Sequence, residues 1–91
     1  MLAENKATLQ LNKVNERLIE KNIIFDGVII SSNRGVPYLW LSRNELNISI
    51  CYFGRTKCFK IWTGCGTPDN KKIATVKLWM DVSKEIEKLV N

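Results

Sequence analysis

Residues 46–62 read LNISICYFGRTKCFKIW, and this stretch predicts a β-hairpin. Two runs rich in β-branched and aromatic residues flank Gly54-Arg55, and a glycine at the first central position is typical of a two-residue hairpin turn. Such a turn pairs Ile50 with Phe59. Because side chains alternate between the faces of a strand, one face of this hairpin is apolar and the other is mixed.

The same alternation continues through a second predicted turn at Arg43-Asn44 into residues 36–42, VPYLWLS. The expected pairing places Leu39 opposite Ile48, on the apolar face. A slip of one residue would exchange the two faces, so the consistent sorting of side chains favours this pairing. The mixed face is predicted to carry Tyr38, Trp40, Asn47, Ser49, Lys60 and Trp62, rimmed by Arg34, Arg43, Arg55 and Lys57.

Further elements are predicted on both sides of this meander. Residues 23–31 form a β-rich run, and residues 56–62 form the last strand. Residues 4–21 and 70–90 have helical patterns, and a residue in the segment 67–70 is expected to cap the second helix. The C-terminal helix offers enough apolar side chains to cover the apolar face. The sequence therefore predicts an α+β fold, an antiparallel three- to four-stranded meander packed on a C-terminal helix, with an additional N-terminal helix.

The predicted N-terminal helix has several interpretations. Leu11, Val14 and Leu18 form one apolar stripe at helical spacing. This stripe could dock the helix on the domain, bind a partner or form a homodimer contact, and the segment could equally end a linker. The helix could also cover the mixed face as a second core layer. We therefore divide the chain into residues 1–22, helix or linker, and residues 23–91, a small sheet-plus-helix domain.

Charge and composition narrow the classes of partner. The chain has 91 residues and a net charge of +5, which suits nucleic acid first and an acidic protein or membrane surface second. A solubilising surface charge is the simpler alternative. No run approaches the ~20 apolar residues of a membrane span, and the N-terminus lacks the apolar core of a secretory signal. The odd cysteine count (Cys51, Cys58 and Cys65) indicates reduced thiols in an intracellular compartment.

The chain contains no histidine. A Cys–His or Ser–His pair is therefore impossible, and the commonest general base is absent. A zinc site would need carboxylate ligands, and the chain has no phosphate-binding glycine loop of the known kinds. We expect a protein that is not an enzyme and that needs no metal or cofactor.

The mixed face has the residue types of a nucleic-acid surface. Cationic side chains neutralise phosphates, Asn47 and Ser49 can reach base edges, and flat aromatic rings pack on sugars or thymine methyl groups.

Several stretches resemble the ethylene-response-factor (APETALA-type) DNA-binding domain and its protozoan relatives. Arg34-Gly35-Val36 with the following Tyr38 is similar to the opening R-G-V strand of that family, and Gly27-Val28 with the later Trp40 is similar to the protozoan form. The hairpin at residues 52–57 resembles the family's turn into its third strand. Residues 69–79 are similar to the opening of its helix, where Ala74 would lie against the sheet. The likeness covers residues 27–90.

This resemblance implies sequence-specific binding of double-stranded DNA, with the sheet in the major groove, by a nuclear transcription regulator. The mixed-face residues and the arginines and lysines around them would then contact DNA, while Ala74 and the C-terminal helix would be structural. Phage integrase arm-binding domains share the same plan of three strands followed by a helix.

Two other classes of protein fit the sequence. A double-stranded-RNA-binding domain has a helix, three strands and a second helix that opens with a K-K-x-A motif, which Lys71-Lys72-Ile73-Ala74 matches. A protein-interaction or inhibitor module would use the tryptophans and their basic neighbours as a hot spot. Salt dependence separates these classes, because nucleic-acid binding weakens steeply with salt.

Overall fold

Five strands form a meander in chain order, preceded by one helix and followed by another. The computed structural model describes residues 2–64 and 67–90, and their side chains from residue 6 onward. Cys65, one of the three cysteines predicted to be reduced, lies outside the described residues. The elements are α1 (Leu2–Glu20), β1 (Gly27–Asn33), β2 (Val36–Arg43), β3 (Leu46–Phe53), β4 (Cys58–Thr63), β5 (Lys71–Val76) and α2 (Trp79–Val90).

The fold confirms the predicted α+β class, with one strand more than expected. The five strands form a single sheet in the order β1-β2-β3-β4-β5, and every neighbouring pair is antiparallel. Residues 23–26, which were assigned to the first strand, instead form the approach to β1. Ile23 and Phe25 turn their side chains into the core in this segment.

Helix α1 is followed by Asn22, whose backbone has the left-handed conformation that ends many helices. Asn22 has a φ of 61°, its N–H bonds the Ile19 carbonyl at 2.9 Å, and the Ile23 N–H bonds the Leu18 carbonyl at 2.9 Å. This is the Schellman arrangement, in which asparagine is one of the few residues that tolerate the conformation. Leu18 and Ile23 are both buried, as is usual beside this motif.

The apolar face of the sheet is the core. Both helices pack on it, α1 over β2 and β3 and α2 over β4 and β5. Fully buried side chains from the sheet and from both helices form one cluster, which includes Leu11, Val14, Leu18, Leu39, Leu41, Ile48, Ile50, Phe59, Ile61, Val82 and Ile86. The predicted docking of the N-terminal helix by its apolar stripe is confirmed. The alternative in which this helix covers the mixed face is wrong, because its stripe meets the apolar face.

The strand registers differ from prediction by two residues. Ile50 lies opposite Ile61 rather than Phe59, and Leu39 lies opposite Ile50 rather than Ile48. The β3–β4 loop has four residues, 54–57, with Lys57 at a φ of 54°, instead of a two-residue Gly54-Arg55 turn. A shift of two residues keeps every side chain on its predicted face.

The register difference has a local cause at each turn. The longer β3–β4 loop places the ring of Tyr52 against Phe59, with ring centroids 4.8 Å apart. The β2–β3 turn is Asn44-Glu45 rather than Arg43-Asn44, with Asn44 at a φ of 56°. A positive φ favours asparagine at this position.

The predicted helix over residues 70–90 is wrong in its first part. Residues 71–76 form β5, and α2 begins at Trp79. Ile73 and Val76 have the three-residue spacing of a helix face, but they also belong to a β-branched run that gives β4 a partner on its open side. A bulge opposite Ile61 and Trp62 lets both Ile73 and Ala74 pack partly against the core.

The predicted helix caps take part in a loop. The Thr67 hydroxyl donates to the Gly64 carbonyl at 2.6 Å and accepts the Asp69 N–H at 3.2 Å. Gly64 has a φ of 71°, and a Cβ there would lie 2.8 Å from the Asp69 carbonyl oxygen, so this loop requires glycine.

Candidate functional site

The sheet has a second face, which points away from both helices. We call it the open face and define it by the strand residues Tyr38, Trp40, Ser42, Asn47, Ser49, Cys51, Phe53, Lys60 and Trp62, with Ile29 and Ser31 on β1 and Lys72 and Thr75 on β5. Among residues 2–64 and 67–90, no helix packs on this face. The open face is therefore available for a partner.

The centre of the open face is a row of residues that lie side by side across all five strands. Trp40 lies opposite Ser49, and Ser49 lies opposite Trp62. Ile29 and Lys72 continue the row on the edge strands. The small serine between two half-buried indoles leaves a shallow floor between them, since the two tryptophans are two strand spacings apart, about 10 Å.

A second row lies beside the first. It contains Ser31, Tyr38, Cys51, Lys60 and Thr75. The Nζ atom of Lys60 lies 4.8 Å from the centroid of the Phe53 ring. Such a cation–π contact holds an ammonium group over the ring while leaving its other hydrogens available to an acceptor.

Charge on the open face has one sign. Lys60 and Lys72 are its strand cations, and none of the open-face side chains defined above is acidic. The carboxylates that the structure describes lie on the helices, in the turns and in the loops. The open face can therefore accept an anionic partner without placing a carboxylate against it.

Arg34 extends this surface at one end. Arg34 and Gly35 have φ values of 53° and 80°, the pair of positive values that defines a type I′ turn between β1 and β2. The turn brings Arg34 to a depression of about 520 Å³ that Tyr38, Ser49 and Cys51 also line.

The other predicted cations lie elsewhere. Arg55 and Lys57 line a groove of about 530 Å³ at the end of the sheet, together with Lys6 of α1 and the ring of Tyr52. Arg43 pairs with Leu46, and this position alternates onto the helix side of the sheet. The prediction that Arg43 rims the mixed face is therefore wrong. Arg43 follows Leu41 by two residues on β2, so both side chains lie on the helix side of the sheet.

Of the ten predicted site residues, the structure gathers seven. Tyr38, Trp40, Asn47, Ser49, Lys60 and Trp62 share the open face, and Arg34 stands at its border. Sequence reasoning missed Ile29, because β1 was not assigned a pairing, and Lys72, because its strand was predicted to be a helix. The β-branched residues Ile73, Thr75 and Val76 were the signal that could have located Lys72 in a strand.

The indole of Trp40 has an unusual environment. Its Nε1 atom is buried and has no hydrogen-bond partner among the described residues. A buried donor left unpaired costs about 1–3 kcal/mol.

Two other findings bear on function. Among the described residues, no group of histidine, cysteine or acidic side chains is placed to hold a metal ion. In the same part of the chain, no helix has the length and apolar character needed to cross a membrane.

In comparisons with known proteins, no family model, no curated protein and no solved structure matches this chain. The arguments for function therefore depend on the geometry of the open face.

Two features that suggested families from the sequence lie in other structural contexts. Lys71-Lys72-Ile73-Ala74, compared with the start of the second helix of double-stranded-RNA-binding domains, belongs to β5. The segment compared with the helix opening of the APETALA-type domain is also largely β5. Ala74 packs partly against the core as a strand residue of β5, whereas that comparison expected it on a helix lying against the sheet.

Proposed function

We propose that this protein is a sequence-specific double-stranded-DNA-binding domain of a transcription regulator, which reads the major groove with the open face of its sheet. The observation that supports this proposal is the placement of both helices on one side. A sheet face with four aromatic side chains is left without a cover among the described residues, and exposed aromatic surface of this kind marks interaction sites.

The dimensions of the sheet suit a DNA groove. All six open-face residues predicted from sequence lie on the three central strands, β2 to β4. These strands span two strand spacings, about 10 Å, and the major groove is about 12 Å wide. The central strands can therefore enter the groove, while the edge strands lie over the phosphate backbones.

Each group on this surface has a chemical role. Asn47 and Ser49 lie on β3, the middle strand, and present the amide and hydroxyl groups that read base edges. Lys60 and Lys72 neutralise phosphates on the β4–β5 side, and Arg34 does so at the end of the β1–β2 hairpin. The indole rings supply apolar contact with sugars or thymine methyl groups.

A second candidate, binding of single-stranded nucleic acid, is favoured by the row Trp40-Ser49-Trp62. Two indoles on either side of a small residue form a platform on which unpaired bases can stack. Antiparallel sheets backed by helices bind single-stranded RNA through exposed aromatic residues in this way. This candidate uses the same face but requires fewer cations.

The test is a selection from random-sequence DNA duplexes, followed by binding measurements on the selected duplex and on its separated strands at one salt concentration. We expect enrichment of one motif and tighter binding to the duplex. Affinity for the duplex should fall with salt, with a log–log slope of about −0.9 per phosphate neutralised.

The variant Trp62→Ala distinguishes the candidates. Loss of a stacked base costs about 1–3 kcal/mol of binding free energy. If the unmodified protein binds single strands tightly and Trp62→Ala weakens that binding by this amount, the single-strand proposal replaces the duplex proposal. Absence of binding to either form, or an affinity that does not respond to salt, would contradict both and would favour a protein partner.

A further inference from the structure

The two edges of the sheet differ in their protection against other strands. The β5 edge contains a bulge and carries Lys71 and Lys72, two features by which edge strands avoid pairing. The β1 edge, Gly27–Asn33, is seven residues long and has no charged residue, and its pairing with β2 is regular throughout. It presents a free row of backbone hydrogen-bonding groups.

Apolar side chains are concentrated beside this unprotected edge. Seven large apolar side chains are exposed among those that the structure describes, and three of them lie in or just before β1. These three are Ile24, Val28 and Ile29, each between 45% and 60% exposed. Helix α1 covers β2 and β3 rather than β1, which leaves Val28 open on the helix side.

The turn after β1 determines which backbone groups face outward. In a two-residue type I′ turn the flanking residues, Asn33 and Val36, form a hydrogen-bonded pair. Hydrogen-bonded and non-bonded pairs alternate along antiparallel strands. The N–H and C=O groups of Val28, Ile30 and Ser32 therefore point away from β2, toward a potential neighbour.

We propose that this neighbour is the β1 strand of a second copy of the chain, paired antiparallel about a two-fold axis at Ile30. This register joins all the outward groups, with Ile30 opposite its own copy and Val28 opposite Ser32. It also brings Asp26 at the start of the strand close to Arg34 at its end, twice in the dimer.

The charges support a second copy over an unrelated strand. Asp26 and Arg34 are both exposed, and they are the first charged residues on either side of an uncharged strand. Asp26 is held beside the sheet by a 2.9 Å bond from its N–H to the Ser42 carbonyl. The antiparallel register thus makes the edge complementary to itself in hydrogen bonds and in charge, and it places Ile30 against its own copy.

The dimer would contain one sheet of ten strands, with two open faces side by side. The inference goes beyond the proposed function and does not depend on it, because the pairing uses the edge of the sheet; the two share Arg34 alone among the residues assigned to binding.

The test measures molecular mass by sedimentation over a range of concentrations, with a chain mass of 10.5 kDa as the reference for the monomer. We expect the full chain to form a dimer. Val28→Lys should abolish it, because a lysine in the middle of an edge strand opposes pairing. The control Leu9→Lys makes the same kind of change on another exposed apolar residue, in α1, and should leave the dimer intact.

Charge exchange tests the register. Asp26→Arg and Arg34→Asp should each raise the dissociation constant of the dimer by about tenfold or more, since like charges would then face each other. The double variant should restore it to within about threefold of the original. In the dimer, the amide hydrogens of Val28, Ile30 and Ser32 should be protected from exchange.

Several outcomes would overturn the proposal. A chain that stays monomeric up to about 1 mM has no self-association of useful strength. A dimer that Leu9→Lys disrupts and Val28→Lys does not would use another surface. A dimer in which the charge exchange is not restored by the double variant would have another register.

Discussion

The two faces of the sheet are built from alternating residues of the same strands, and one face is buried while the other is partly exposed. On β3, Ile48 and Ile50 are fully buried under the helices, while Asn47 and Ser49 alternate with them and remain partly exposed. The apolar face receives both helices, and the open face receives neither. This contrast teaches that the aromatic residues of the open face are not needed to complete the core, which already includes side chains from both helices.

The largest difference in stability should appear when one residue on each face is replaced by alanine. We expect Ile50→Ala to lower the free energy of unfolding by about 2–5 kcal/mol, because it removes a fully buried side chain from the core. Its neighbour Ser49→Ala should change the same quantity by less than about 0.5 kcal/mol. Denaturant unfolding of both variants measures the difference, and similar effects would mean that the faces are wrongly assigned.

A smaller effect, on binding rather than folding, should come from the open face. Lys60→Ala should weaken binding to the selected duplex and reduce the salt slope by about 1. The thermal midpoint should change little, because the contact of Lys60 with Phe53 contributes only about 0.5–1 kcal/mol at an accessible site.

Two variants serve as controls for that measurement. Lys13→Ala removes the same charge from the exposed surface of α1, and Arg43→Ala removes a cation on the helix side of the sheet. Both should leave the salt slope nearly unchanged. If Arg43→Ala reduces the slope as much as Lys60→Ala, the binding surface extends beyond the open face and the comparison of faces fails.

The smallest effect concerns the contact that joins the two helices on the covered face. The Lys21 Nζ donates to the Glu87 Oε2 at 2.7 Å, and this hydrogen bond, followed by the charge of Lys21, lowers the pKa of Glu87 from its ordinary value of 4.5. A carboxyl with a lowered folded-state pKa stabilises the protein above pH 4.5, and this contribution is lost as the pH falls through the folded-state pKa.

We therefore expect Glu87→Gln to lower the thermal midpoint slightly at neutral pH and to have no effect once Glu87 is protonated in the unmodified chain. The side chains of Lys21 and Glu87 are 26% and 40% exposed, so the effect should be small. Thermal unfolding at a series of pH values measures it. Glu45→Gln, at an exposed turn, is the control, and an equal pH dependence in both variants would exclude the helix contact as its source.

The sorting of residues between the faces could be predicted from sequence, even though the pairing could not. Alternation is a local property of an extended chain, and it placed Ile50 and Ile61 on one side and Ser49 and Trp62 on the other. The predicted register differed by two residues at both hairpins, because turn length depends on where a residue such as Lys57 or Asn44 takes a positive φ. An error of two residues left the faces intact.

The extent of the sheet could not be predicted in the same way. Residues 71–76 fit a helical period and a β-branched pattern equally well, and the partner that decides between them is β4, which ends eight residues earlier in the chain. The loss of Lys72 from the predicted site follows from the pairing of β5 with β4, whereas the side on which Arg43 lies follows from the alternation along β2.

By itself, the sequence determined the helical stripe of α1, the central strands and the division of their side chains between an apolar and a mixed face, because these depend on periods of a few residues. Only the tertiary structure decided that α1 and α2 share one face, that β5 completes the sheet and that the aromatic face stays open. The physical reason is that covering a face depends on contacts between segments far apart in the chain, which local periodicity does not encode.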